Sequence, residues 1–144
     1  MGFIMQVTTK WQGKKFFQST GPSGYTINMD ATPAWGGEGN GASPIELLVA
    51  SLAGCIGMDI TLILEKFLPS IKQIEIIADG VRKEEAPKGF ASIELTFKVD
   101  GDIPDYRIWK AIELGTEKYC SVSDSLNAVI THRLVLNGVE VYKD

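Results

Sequence analysis

Residues 43–55 read SPIELLVASLAGC, and this stretch decides the fold. Ser43 can cap a helix, Pro44 suits the first helical position, and Glu46 completes a capping box. No charged residue follows until Asp59, and apolar or small side chains occupy every face of the helix. A helix of this composition is predicted to be central and buried on all sides.

The same helix is long and apolar enough for a membrane span to be considered. A span needs roughly 20 apolar residues, but Asp59 interrupts the stretch and Glu65-Lys66 ends it. The sequence therefore favours the core helix of a soluble protein, with no membrane partner.

Short strands are predicted before this helix. They occupy residues 3–11, 14–19 and 25–30, and a turn is expected at Gln12-Gly13. Residues 35–41 contain four glycines, which cannot hold a regular element without an entropic cost. This segment is predicted to be a mobile loop.

Strands and one more helix are predicted after it. Residues 71–82 and 90–99 are rich in β-branched side chains, with a hairpin connection between them. Residues 105–119 favour an amphipathic helix with Ile108, Ile112 and Tyr119 near one face, and Trp109 beside them. Asn137-Gly138 marks a final hairpin because a type I′ turn needs two positive φ angles. The order predicts an α+β fold, with small antiparallel sheets around a long buried central helix.

The composition limits the number of domains and the class of partner. A chain of 144 residues, 44% hydrophobic and 22% charged, is typical of one globular domain, here residues 1–144. Its net charge of −4, without long runs of one sign, argues against a nucleic-acid partner. The start lacks the pattern of a secretory signal, which favours a cytoplasmic protein. Either Met1 or Met5 could be the native start.

Cys55 and Cys120 are the only cysteines, 65 positions apart. In a reducing compartment such a pair is more often buried thiols, metal ligands or redox groups than a structural disulfide. Taken alone, Cys55 on an apolar helix is typical of an inert core residue. Cys120 lies where the second helix is expected to end, so accessibility and nearby Lys118 could make it reactive.

No metal site or organic cofactor is predicted. The chain has no C-x-x-C motif, and its one histidine, His132, falls in a predicted strand. His132 is accordingly expected to be a hydrogen-bonded strand residue and not a general base.

Residues 43–55, followed by YCSVS at residues 119–123, resemble the paired-cysteine signature of the OsmC/Ohr superfamily. The order of elements agrees along nearly the full length. Residues 82–87, RKEEAP, together with residues 117–123, are similar to the less characterised OsmC-like branch often called YhfA-like. The resemblance implies an intertwined homodimer, in which two central helices lie together and each active site draws on both subunits.

The resemblance also implies a thiol peroxidase that acts on small organic hydroperoxides. Cys55 would attack the peroxide, Cys120 would resolve the sulfenic acid as a disulfide, and a dithiol reductant would reset the pair. The thiolate is the nucleophile, and burial on an apolar helix disfavours it. A cation is therefore expected beside Cys55.

In the peroxidases of the family that cation is an arginine from the N-terminal strands, held by a glutamate near the start of the central helix. This chain has no arginine before Arg82. The candidate replacements are Lys10, Lys14, Lys15 and Arg82, although a lysine lacks the planar fork of arginine. Ile45 stands where the family has its glutamate. Glu46, about 100° further round the helix, is the candidate for that catalytic role, although capping is its expected function.

Three functions remain open. A hydroperoxide reductase predicts rapid loss of both thiols with an organic peroxide. A binding module for a small apolar or thiol-containing ligand is favoured by the missing arginine and predicts unreactive thiols. An assembly protein with two structural cysteines predicts a Cys55 pKa above that of a free thiol.

Overall fold

The computed structural model describes residues 2–144, so Met1, one of the two candidate starts, lies outside the described residues. The chain divides into two compact units, Met1–Leu48 and Val49–Asp144. Each unit is described by itself.

Unit 1 contains an antiparallel sheet of three strands in the order β1-β2-β3: β1 (Thr8–Gly13), β2 (Phe16–Thr20) and β3 (Thr26–Met29). The three predicted strands are confirmed, although the first begins five residues later than expected. The predicted turn position is wrong, because the turn lies at Lys14 and Lys15. Gly13 at φ 116° and Lys14 at φ 49° reverse the chain there, and only glycine takes such angles without steric cost.

The glycine-dense segment is a loop organised by one carboxylate. It contains a short 3₁₀ helix, Pro33–Trp35. Asp30 is buried, and its carboxylate accepts hydrogen bonds from the backbone N–H groups of Ala31 at 2.7 Å, Glu38 at 3.3 Å and Asn40 at 3.0 Å. These bonds, the one from Asn40 most strongly, hold the pKa of Asp30 below its usual value. The loop is thus held by polar contacts instead of apolar packing.

Helix α1 spans Pro44–Ile63 and begins as predicted. The Glu46 N–H donates to Ser43 Oγ at 3.3 Å, which confirms the N-cap. The prediction that α1 is buried on all sides is wrong for a single chain, because only the stripe of Leu52, Ile56 and Ile60 is buried. The remaining faces carry apolar side chains that are left exposed.

By length and composition α1 could cross a membrane, and among the described residues it is the single helix that could. This is weak evidence, since core helices of soluble proteins meet the same criterion. After α1, a 3₁₀ segment (Glu65–Ser70) leads into the second sheet.

Unit 2 contains a sheet of four strands in the order β4-β5-β6-β7: β4 (Ile71–Arg82), β5 (Phe90–Gly101), β6 (Val129–Leu136) and β7 (Val139–Val141). The α+β class is confirmed, but the expectation of antiparallel sheets is wrong at one place. Strands β5 and β6 are parallel, while the other two pairs are antiparallel. The helical segment between β5 and β6 returns the chain to the same end of the sheet, and such a crossover makes strands parallel.

The segment between β5 and β6 contains three helical pieces: α2 (Asp105–Leu114), a π-helical turn (Gly115–Tyr119) and α3 (Ser121–Asp124). Ile108 and Ile112 are buried as predicted, but Tyr119 is exposed. The π-helical turn, with its i→i+5 bonding, breaks the 3.6-residue periodicity on which that prediction depended.

The core of unit 2 lies between α1, α2 and the sheet. Its largest fully buried side chains come from all three layers: Phe97, Leu52, Ile56, Ile60, Ile93, Leu95, Ile108, Ile112, Leu134 and Val99. Gly57 permits a close approach, because a Cβ there would lie 3.2 Å from Ile76 Cδ1 on β4. The predicted final hairpin is confirmed, with Asn137 at φ 51° and Gly138 at φ 82°.

Candidate functional site

Helix α1 presents two polar side chains, Cys55 and Asp59, four residues apart on one face. Cys55 is half-buried and packs against the core of unit 2. Asp59 is also half-buried, and its Oδ2 atom is inaccessible and has no hydrogen-bond partner among the described residues. A carboxylate oxygen in this state is costly unless something compensates for its lost hydration.

Cys120 reaches this face of α1 because of the π-helical turn before it. Its backbone N–H donates to the Gly115 carbonyl at 2.8 Å, which closes the turn. Gly115 is buried, and a Cβ on it would lie 3.5 Å from the Cβ of Asp59. The turn therefore packs directly on α1. Single π turns inside helical segments are frequent at functional sites.

The two cysteine sulfurs and an Asp59 carboxylate oxygen all lie within 4.8 Å of one another. Both cysteines are free thiols. The structure thus brings together residues that are 65 positions apart in the sequence. A disulfide needs the sulfurs at about 2.05 Å. The two side chains must therefore rotate, and the Cys120 turn must move slightly, before the disulfide can form.

The two sulfurs differ in exposure and in protonation. Cys120 is only 3% exposed, and its Sγ accepts the Ser123 N–H at 3.2 Å. Burial first, and then the hydrogen bond to Cys55, raise the pKa of the Cys120 thiol to about 11, against smaller lowering effects of the backbone N–H groups of Ser123 and Val122. Cys120 therefore holds its proton at neutral pH.

Two expectations about Cys120 are wrong. Its sulfur is buried and not accessible. Lys118 does not favour its thiolate, because the Lys118 ammonium lies over the Tyr119 ring, 5.5 Å from its centroid, and the pKa of Cys120 is raised. Among residues 2–144, the groups that shift the pKa of the Cys120 thiol are Cys55, Ser123 and Val122, and none of these is a cation.

Two of the four predicted replacement cations, Lys14 and Arg82, have partners other than the cysteines. Lys14 pairs with Glu38 at 3.5 Å on the exposed surface of unit 1. Arg82 Nε donates to the Lys88 carbonyl at 2.7 Å, within the connection between β4 and β5. Lys10 and Lys15 also belong to unit 1. A contribution of any of these cations to the cysteine pair stays a prediction.

Glu46 lies in the first turn of α1, and its side chain is exposed. The hydrogen bond from its backbone N–H to Ser43 Oγ shows that Ser43 caps the helix, and a capping role of the Glu46 side chain stays a prediction. Its catalytic role stays a prediction.

His132 is a hydrogen-bonded strand residue, as expected. Its Nε2 lies 2.9 Å from Thr116 Oγ1, and its ring packs against Phe97 with centroids 5.9 Å apart. Burial lowers the pKa of His132, and the opposing charge of Glu117 offsets this only in part. The ring is therefore neutral at pH 7.

Asp59 is a site residue that the sequence motifs did not reveal, although it counted against a membrane span. The spacing of four residues from Cys55 on a helix was the signal that could have identified it. Within the described part of the chain, Cys55, Asp59 and Cys120 form a group that could hold a metal ion. The sequence could not reveal this set, because the third member comes from a distant turn.

Known proteins share this fold and the region that carries the cysteines. The family model described as OsmC-like protein matches residues 37–135, more than half of the chain. The fold and the paired thiols define the class, and the chain belongs to the OsmC-like family.

Within the class, the chain is similar to Protein YhfA of Escherichia coli strain K12, with 36% identity over 132 residues, 89% of this chain and 95% of that protein. It is also similar to a hypothetical protein from Aquifex aeolicus VF5, whose crystal structure aligns with a TM-score of 0.81 at 28% identity, covering 94% of this chain and 97% of that one. An organic hydroperoxide resistance protein from Elizabethkingia anophelis has the same fold, with a TM-score of 0.66 at 16% identity over 94% and 96% of the two chains.

Proposed function

We propose that this protein reduces small organic hydroperoxides through a disulfide cycle between Cys55 and Cys120. The observation that carries the proposal is the proximity of two free thiols from separate elements of unit 2, both within the 4.8 Å cluster. Similarity of fold to organic hydroperoxide resistance proteins adds support for the substrate class.

The different environments of the thiols assign their roles. Cys55 is half-buried and can meet a substrate, whereas Cys120 is enclosed. Burial and the hydrogen bond to Cys55 raise the pKa of Cys120 and keep its proton on at neutral pH, so Cys120 is not the attacking thiolate. Cys55 is therefore the attacking sulfur, and the Cys120 thiol partly replaces the missing arginine by donating to it.

The cycle balances in three steps. The Cys55 thiolate attacks the terminal peroxide oxygen, the O–O bond breaks, and one proton converts the departing alkoxide to an alcohol. Cys120 then displaces the hydroxyl from the Cys55 sulfenic acid, which forms the disulfide and releases water. A dithiol reductant is oxidised as it returns both thiols.

A thiol titration after one equivalent of an organic hydroperoxide tests the cycle. Two thiols per chain are expected to disappear rapidly, Cys120→Ser should stop at a sulfenic acid, and Cys55→Ser should be inactive. Loss of thiols with equal speed in Cys55→Ser and the native protein would disprove the assigned roles.

A second candidate is a binding module for a small apolar or thiol-containing ligand. Its support is that no cation of the described part of the chain shifts the pKa of Cys120, and that no arginine precedes Arg82 in the sequence. This candidate predicts thiols that survive excess organic peroxide in the titration just described.

The assembly is proposed to be an intertwined homodimer. Its support is the exposed apolar surface of α1, where Met58 is 74% exposed and Leu62 is 70% exposed. Two copies could bury these faces against each other. Sedimentation should give a dimer, and Met58→Glu with Leu62→Glu should give a monomer. A native monomer at micromolar concentration would refute the proposal.

Two further proposals concern the organisation of the chain and its location. A single domain over residues 1–144 is supported by the family match at residues 37–135, which crosses the boundary at Leu48. A cytoplasmic location suits free thiols, because disulfides persist mainly in oxidising compartments.

A further inference from the structure

The cluster at Cys55, Asp59 and Cys120 contains a feature that the disulfide cycle does not use. Asp59 places a carboxyl group beside two thiols, and its Oδ2 atom is inaccessible and has no hydrogen-bond partner among residues 2–144. The ion pairs of the described residues do not include Asp59.

The chemistry of the three groups matches one class of ligand. Two thiolates and one carboxylate form an S₂O donor set, which selects a soft or borderline divalent cation over magnesium or calcium. Such a cation would supply the positive charge that both the thiolates and the unpartnered carboxylate lack. We propose that the reduced protein binds Zn²⁺ through Cys55, Asp59 and Cys120.

The geometry is compatible with tetrahedral coordination. Zn–S distances of about 2.3 Å and Zn–O distances of about 2.0–2.2 Å separate tetrahedral ligands by roughly 3.5–3.8 Å. The three ligand atoms already lie within 4.8 Å of one another. Rotation of the side chains that moves these atoms by about 1 Å would bring them to tetrahedral separations. Three protein ligands leave a fourth position for water or an added thiol, as in zinc sites that keep an open position.

The local structure holds the ligands in place. Cys55 and Asp59 are fixed one turn apart on α1, whose neighbours Ile56 and Ile60 are fully buried. Cys120 is held by the π-helical turn, which contacts α1 at Gly115. A site built on packed elements holds its ligands more precisely than one on free loops. The bound metal and the disulfide use the same sulfurs, so each state excludes the other.

The test is a titration of the fully reduced native protein with Zn²⁺ in competition with a chromophoric chelator. One Zn²⁺ per chain is expected. Co²⁺ should bind at the same site and give thiolate-to-cobalt charge-transfer absorption, which identifies sulfur ligands. Protein oxidised with diamide, in which both sulfurs form the disulfide, should not bind at this site.

Asp59→Asn distinguishes a metal site from a simple thiol pair, because it retains both cysteines. The variant should bind Zn²⁺ at least about 10-fold more weakly. The matched control is Asp79→Asn, an exposed residue of β4 outside the cluster, which should bind as the native protein does. Circular dichroism and thermal unfolding of the metal-free variants verify that both are folded.

The outcomes separate this proposal from the peroxidase. Equal affinity of native and Asp59→Asn protein, or tight binding by the oxidised protein, would overturn the metal site. Peroxide reduction by chelator-treated protein is measured in parallel, and it should proceed without metal. Failure of Zn²⁺ binding with intact peroxide reduction removes only the metal site, whereas binding without peroxide reduction removes only the peroxidase.

Discussion

Units 1 and 2 are stabilised by different kinds of buried residue. In unit 2 the buried residues are almost all apolar, and among the described residues every buried hydrophobic side chain lies between Leu52 and Leu134. In unit 1 the buried residues are Ser19 and Asp30, both polar. Ser19 bonds to Thr9 Oγ1 at 2.7 Å, and Asp30 organises the following loop.

The exposed side chains show the same contrast. Unit 1 leaves many large apolar side chains accessible, among them Trp11, Tyr25 and Trp35. A sheet of three short strands with an apolar surface needs cover to be stable. Unit 2 supplies its own core and holds the cysteine cluster. The candidate chemistry therefore resides on the part of the chain that is packed around apolar residues.

Phe97→Ala should produce the largest effect, because it removes a fully buried ring from the core of unit 2. We expect a loss of about 3–5 kcal/mol in the free energy of unfolding, measured by urea denaturation. The matched control, Val129→Ala, truncates an exposed residue of β6 and should change stability by less than about 0.5 kcal/mol. A loss below about 1 kcal/mol in Phe97→Ala would contradict the described core.

Asp30→Asn tests the polar centre of unit 1. Amide hydrogen exchange should accelerate at Ala31, Glu38 and Asn40, whose N–H groups bond to the carboxylate. Because the folded pKa of Asp30 is lowered, its contribution is present above the ordinary value of 3.8 and is lost as the pH falls through the folded value. Native protein should therefore lose protection at these amides in acid, when each exchange rate is compared with the intrinsic rate at the same pH.

Glu38→Gln is the control for this loop. It removes only the exposed pair with Lys14, and such pairs contribute little. If Glu38→Gln accelerated exchange as much as Asp30→Asn, the ion pair and not the buried carboxylate would organise the loop.

Alkylation of Cys120 tests the electrostatics of the pair in metal-free protein. Mass spectrometry should show slow modification at neutral pH and an increase between pH 9 and about 11, because the thiol pKa is raised. Cys55→Ala removes the hydrogen bond and the charge interaction of Cys55, two of the causes of the raised pKa, so the increase should move to lower pH. Cys55→Ser keeps a polar partner for Cys120, so its pH profile should lie between those of the native protein and Cys55→Ala. An identical profile in all three proteins would exclude coupling of the sulfurs.

Glu46→Gln should have the smallest effect, because glutamine can replace glutamate in a capping box. Peroxide reduction and thermal stability are both expected to change little. A large loss of peroxide reduction at unchanged stability would instead establish a catalytic function for the carboxylate.

Local patterns predicted the elements whose causes are local. The cap at Ser43 and the turn at Asn137-Gly138 depend on neighbouring residues and were correctly located. Errors occurred where distant contacts decide. The parallel pairing of β5 and β6 depends on how the intervening helices pack, and the exposure of Tyr119 depends on the π-helical turn.

The sequence by itself determined the α+β class, the apolar helix and the presence of two cysteines in a family pattern, because periodicity and motifs are written along the chain. Only the tertiary structure decided that Asp59 joins Cys55 and Cys120 and that Cys120 is enclosed. The physical reason is that burial and charge proximity depend on which elements pack together. Here the close packing of the Gly115 turn on α1 fixes both.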